Sequence, residues 1–167
     1  MCGIIGYIGS EDVREVLLDA LELLEYRGYD SAGIALRDEE SGKTEVRKCA
    51  GRVSDLRAIC ASEKVVSQCG IGHTRWATHG GVNDCNAHPH QVGKVTLVHN
   101  GIIENYRELI ADYDLADTLK SETDSEVVAA LLNRFYEGNP EEAIKKTVSK
   151  LKGTFALVIL FEDQKDV

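Results

Sequence analysis

Met1-Cys2-Gly3-Ile4-Ile5-Gly6-Tyr7-Ile8-Gly9-Ser10 opens the chain and places a thiol directly behind a removable initiator methionine. Once Met1 is cleaved, Cys2 carries a nucleophilic sulfur and a free α-amine on one residue. An α-amino group titrates at about 7.7 to 8.0, several units below a lysine, so it can serve as general base for its own thiol. One terminal residue then does two jobs. Ile4 to Ile8 reads as a short strand, and Gly3, Gly6 and Gly9 leave little bulk around the Cys2 end, so a ligand or another backbone can come close. The competing reading is a small buried hydrophobe at a strand start, which is what an arbitrary cysteine usually is.

Working outward, Ser10 is positioned to cap a helix with Glu11 and Asp12 in its first turn. Val13, Val16, Leu17, Ala20, Leu21 and Leu24 recur at three- and four-residue spacing, so this helix buries one face and stops at Gly28. Glu25 to Gly33 is too polar and glycine-rich for core, which marks a loop able to carry function. Ile34 to Arg37 and Thr44 to Lys48 form a hairpin around a solvated acidic tip, and Val53 to Ala61 reads as a weaker helix. Cys69 to Trp76 starts as a strand, Val82 to Gln91 reads as a long loop, and Val95 to His99 is a strand halted by Asn100-Gly101. Helical spacing resumes from Ile103 to Tyr113. Ser121 and Asp124 satisfy a capping pattern ahead of Val127, Val128, Leu131, Leu132 and Phe135. Pro140 opens a helix through Leu151, and Thr154 to Phe161 is an apolar strand that calls for cover on both faces. Strands and helices are interspersed, and no G-x-G-x-x-G leads from a strand into a helix, which argues against a dinucleotide fold.

The 167 residues fit one domain of ordinary size, and 43% hydrophobic with 28% charged residues is a soluble globular composition. No apolar run has membrane length and no basic segment precedes a hydrophobic one, so no membrane partner, no signal peptide and a cytoplasmic address are expected. A net charge of −9 opposes phosphate attraction, and nucleic acid is not an expected partner. The five cysteines contain no C-x-x-C, which indicates reduced thiols rather than a disulfide framework or zinc knuckle. His73, His79, His88, His90 and His99 invite a metal reading. Without H-E-x-x-H or a pair one helical turn apart, it ranks below ordinary loop or core histidines.

A terminal thiol nucleophile makes other demands. Acyl transfer creates an oxyanion that needs fixed donors, and an Asn amide beside a sterically open Gly N–H supplies two, as Asn100-Gly101 would. An amino-acid substrate brings a carboxylate that suits an arginine fork and an ammonium that suits a carboxylate; Arg75 and Asp124 are of the right types. Each signal alone has a plain structural alternative: a turn, a surface ion pair, a helix cap.

Five blocks, MCGIIG (1–6), EYRGYDSAG (25–33), HTRWATHG (73–80), HNGIIEN (99–105) and SETDSE (121–126), resemble in that order the glutaminase domain of the glutamine–fructose-6-phosphate amidotransferases, among the class II, N-terminal-nucleophile amidotransferases. The resemblance covers most of the chain, and the second and third blocks favour the sugar-phosphate branch over asparagine synthetases and amidophosphoribosyltransferases. It implies an α+β, four-layer α/β/β/α sandwich and hydrolysis of L-glutamine by Cys2. Asn100 and Gly101 would form the oxyanion hole, Arg75 would hold the substrate carboxylate and Asp124 its ammonium. Trp76, Thr78 and His79 would belong to a loop closing over glutamine, with Arg27 near the nucleophile. No metal or organic cofactor is implied.

In those synthases sugar-isomerase domains follow the glutaminase half and use its ammonia. The resemblance therefore makes residues 1–167 a shortened glutaminase domain whose partner, the isomerase, is absent, and a homodimer is compatible with it. The family's further C-terminal strands would also be missing, so the 154–161 strand is expected to leave an open edge and its sheet incomplete. A retained Met1 would block the Cys2 amine. The alternative from another class is a catalytically silent fragment that binds a partner or regulates a full synthase.

Overall fold

A computed structural model describes residues 2–61, 65–77 and 80–164. Two antiparallel sheets lie face to face with helices outside both. The first contains β1 (Gly3–Ile8), β2 (Ser31–Arg37), β3 (Thr44–Ala50) and β4 (Cys69–Arg75), in spatial order β1-β4-β2-β3. The second contains β5 (His90–Val92), β6 (Val95–Ile103) and β7 (Gly153–Phe161), in that order. Helices α1 (Val13–Leu24) and α2 (Val53–Cys60) cover the first sheet through Leu17, Leu21, Leu56 and their neighbours. On the second, α3 (Tyr106–Asp112), α4 (Asp124–Phe135) and α5 (Pro140–Val148) close a core around Leu97, Leu131 and Phe161. Between the sheets sit Ala35, Cys69, Ile71, Val98 and Leu160. The layers are thus α/β/β/α, as the resemblance implied.

Several local expectations are corrected. The cap of α1 is Asp12, whose carboxylate accepts from the Arg14 and Glu15 amides, and not Ser10; the helix starts at Val13, the first residue of its apolar face to reach the core. Asn100-Gly101 does not halt a strand. β6 runs on to Ile103 because β7 pairs along its whole length, with Asn100 opposite Ala156 and Gly101 opposite Phe155. His90 and Gln91, the end of the loop expected over 82–91, belong instead to β5, which pairs with Val95–Leu97.

The segment before α4 uses a different cap from the one its pattern suggested. Thr123 caps the helix, accepting from the Glu126 amide, while Glu126 Oε2 collects the amides of Lys120 (3.0 Å) and Ser121 (2.6 Å) and the Ser121 hydroxyl (2.7 Å). Asp124 is thereby released from capping. α4 is buried from Asp124 through Leu132, rather than along one stripe, because it packs on β5, β6, α3 and α5 together. Covering on both faces does not hold for β7, an edge strand whose Gly153, Thr154 and Ala156 are exposed.

Candidate active site

Pairing of β1 with β4 sets Gly3 opposite Thr74, so Cys2 falls beside the end of β4. The Gly3 amide donates to Thr74 Oγ1 at 3.2 Å, which ties this corner. The Trp76 backbone N–H donates to Cys2 Sγ at 3.1 Å. A cavity of about 380 Å³ opens at this corner, of a size that takes a small ligand. Its wall joins Cys2, Arg75, Asn100, Gly101 and Asp124, with Arg27 and Trp76 also lining it. Residues far apart in sequence thus converge, and they come from both sheets.

Arg75 ends β4 with 4% exposure, its guanidinium donating to the carbonyls of Gly81 (3.2 Å) and Gly80 (3.5 Å). Burial lowers its pKa, and the charges of Cys2, Asp30 and Asp124 act against that shift. Asp124, 5% exposed, occupies the first turn of α4 and accepts the Ile103 amide on Oδ2 at 2.8 Å, while Oδ1 accepts from Ser125 Oγ at 3.5 Å. Asn100 Nδ2 donates to the Cys2 carbonyl at 3.1 Å. Trp76, 46% exposed, sits at the mouth against Tyr29, ring centroids 5.6 Å apart. Thr78, His79 and Met1 lie outside the described residues.

Some residues that shape this corner were not singled out from sequence. Asp30 accepts the Ala77 amide at 2.8 Å while its own amide donates to the Arg75 carbonyl at 3.1 Å, so the 25–33 loop grips residues 75–77. Gly28 lies flat on that same backbone; a Cβ there would stand 2.7 Å from the Arg75 carbonyl carbon. The only signal for this was the polarity of the loop. Ser125 and His99 also line the cavity, with His99 Nδ1 2.8 Å from Ser125 Oγ.

His73, His88, His90 and His99 are buried, and among the described residues no cluster of three His, Cys, Asp or Glu side chains suited to a metal occurs. Burial pushes His73 down to about 4, and lowers His88, His90 and His99 as well. The unfolded chain protonates these rings near 6.5, so between about 6.5 and 4 it binds more protons than the folded one, and stability falls as pH falls through that window. His73 alone accounts for about 3 kcal/mol once pH is below 4. A urea midpoint clearly lower at pH 5 than at pH 7.5 is expected. Equal midpoints would show that the rings are not held neutral.

With this geometry in view, comparison with known proteins is informative. A family model described as "Glutamine amidotransferase domain" matches residues 76–167. Isomerizing glutamine–fructose-6-phosphate aminotransferases of Halalkalibacterium halodurans and Bacillus subtilis (strain 168) are 54% and 50% identical over 170 residues, each alignment covering 99% of this chain. The chain spans 28% of the length of those relatives. Among solved structures, glutamine phosphoribosylpyrophosphate amidotransferase from B. subtilis superposes with a TM-score of 0.80 at 27% identity, covering 97% of this chain and 35% of that one. A second, titled as the allosteric regulatory enzyme of purine biosynthesis, gives 0.83 at 28%, covering 97% and 36%. Family model, relatives and architecture agree, and the chain belongs to the glutamine amidotransferase domain family, with the N-terminal-nucleophile hydrolase fold.

Proposed function

We propose that this chain hydrolyses L-glutamine to L-glutamate and ammonia with Cys2 as nucleophile. Removal of Met1 frees the Cys2 α-amine, which takes the thiol proton as Sγ attacks the side-chain amide carbon. The tetrahedral oxyanion is held by the Gly101 N–H and Asn100 Nδ2. Collapse breaks the C–N bond, the amine returns the proton to the leaving nitrogen, and ammonia departs. Water then cleaves the thioester, regenerating the thiol and releasing glutamate. Arg75 receives the substrate α-carboxylate and Asp124 its ammonium, while Arg27, Trp76, Thr78 and His79 enclose it. The observation that carries this reading is one cavity of about 380 Å³ bordered by Cys2, Asn100, Gly101, Arg75 and Asp124 together. No organic cofactor or metal is required.

The chain starting at Cys2 should release ammonia from L-glutamine and gain one adduct on Cys2 from a glutamine analogue bearing an electrophilic side chain. Neither ammonia nor adduct would refute the proposal. About 50% identity to relatives named for fructose 6-phosphate supports a further step, in which the ammonia passes to that sugar phosphate on an isomerase domain to give glucosamine 6-phosphate. Ammonia transfer to fructose 6-phosphate when such an isomerase partner is supplied tests it.

Arg75→Lys separates binding from chemistry. Replacing a planar fork by a point charge removes one charged hydrogen bond worth about 1.5 to 3 kcal/mol, so KM for glutamine should rise roughly 10- to 100-fold. Labelling of Cys2 by iodoacetamide, which has no α-carboxylate, should proceed as in the parent chain. An unaltered KM would remove Arg75 from the carboxylate site.

A further inference from the structure

His73 is 1% exposed in the middle of β4, and the mechanism above does not use it. Its Nε2 lies 3.0 Å from Asn100 Oδ1 and 3.1 Å from the His99 carbonyl oxygen. A backbone carbonyl only accepts, so Nε2 must carry the proton, and the atom of Asn100 facing it must be oxygen. Among the described residues Nδ1 has no hydrogen-bond partner, and with the proton on Nε2 it is the bare nitrogen of the neutral ring. The ring is held in place by stacking on His88 at 4.1 Å and 15°, and His88 Nδ1 in turn accepts the His99 amide at 3.3 Å. Two histidine rings therefore hold the N–H and the C=O of His99, the residue just ahead of Asn100.

The opposite end of the amide obeys the same logic. Asn100 Nδ2 faces the Cys2 carbonyl at 3.1 Å, and a flipped amide would set oxygen against oxygen there and N–H against N–H at His73. One N–H of Nδ2 is thus spent on Cys2 and the second remains for the cavity.

We infer that His73 is a positioning residue whose Nε2–H holds the Asn100 side-chain amide with its nitrogen toward Cys2, so that the amide meets the developing oxyanion with a donor and never with its oxygen. The inference rests on the glutamine-hydrolysis reading. Burial keeps the ring neutral above about pH 4, so it presents a single N–H and a fixed tautomer at working pH. Without that clamp the amide can rotate, and a rotated Asn100 repels the charge it should stabilise.

The test compares His73→Phe, which fills the space without a donor, with His73→Gln, whose amide nitrogen can reach the Nε2 position. In His73→Phe, kcat for glutamine should fall by up to about 100-fold with KM and iodoacetamide labelling of Cys2 little altered; His73→Gln should recover most of it. On an Asn100→Ala background, His73→Phe should cost nothing more, because its target is gone. A kcat unaffected by His73→Phe overturns the inference. So does a loss of the same size in Phe and Gln variants, or one that persists with Asn100→Ala, since either marks general support of the fold. Imidazole ¹⁵N shifts of the parent chain give a readout apart from turnover, expected to show protonated Nε2 and bare Nδ1. The reverse tautomer overturns the inference even if His73→Phe fails to fold. Absence of ammonia release from the parent chain would instead refute glutamine hydrolysis and leave the tautomer result standing.

Discussion

Cys2→Ala is expected to bring ammonia release from L-glutamine down to the uncatalysed level. In hydrolases with a covalent mechanism, losing the nucleophile costs on the order of 10⁶-fold in kcat, and no group among the described residues stands in for it. The hydroxyls nearest the cavity are occupied, Ser125 Oγ with His99 Nδ1 and Thr123 Oγ1 with His90 Nε2. Among the described residues the thiol's hydrogen bonds are exposed ones, with the Trp76 backbone, so its loss should leave thermal stability nearly unchanged. Purified Cys2→Ala with the parent melting temperature and no turnover is the predicted pair of observations. Ammonia release within tenfold of the parent would reassign the nucleophile. A chain extended before Cys2, whose amine is then an amide, should be as inactive as the alanine variant although its thiol is intact; turnover there would remove the amine from the mechanism.

The second large effect is expected from Gly101→Ala, and it strikes stability and rate together. Gly101 has φ +131 within β6, a conformation that costs an L-residue about 1 to 3 kcal/mol. A Cβ at this position would collide with the Thr154 carbonyl oxygen and stand 2.8 Å from Phe155 Cα, both on the paired strand β7. Relief requires β7 to move away or the 100–101 peptide to turn, and either displaces the proposed oxyanion donors. Strain and overpacking together should destabilise by about 3 kcal/mol or more, lowering the melting temperature by roughly 6 to 12 °C. Where the variant is still folded, kcat should be lower by about 10² to 10³, the cost of losing one oxyanion donor. Parent-like melting and kcat would show that this backbone does not need glycine.

Much of the architecture was written in local patterns. Apolar spacing located α1, α2 and α4, and the glycines around Ile4 to Ile8 marked β1, because these signals reside in a few adjacent residues. The candidate site was legible as a set of residue types, and the resemblance joined Cys2, Arg75, Asn100, Gly101 and Asp124 before geometry did. What local pattern could not hold was whatever depends on a distant partner. Asn100-Gly101 looks like a turn until β7, more than fifty residues on, continues the ladder through it. Asp124 looks like a cap until Thr123 takes that task and the Ile103 amide claims its oxygen. His73 gave no hint beyond being polar in a strand, since its meaning lies in two oxygens on β6.

Because Arg75 ends a strand of one sheet, with Cys2 just ahead of another, while Asn100, Gly101 and Asp124 ride on the other sheet and its helix, the proposed catalytic corner has no existence in either half alone. Sliding one layer past the other by an ångström would part sulfur from amide without breaking a single strand pair. On the proposed mechanism, turnover acts as a gauge of how the two layers are mated, and solutes or substitutions that loosen the Ile71–Val98–Leu160 seam should abolish it well before they melt the fold.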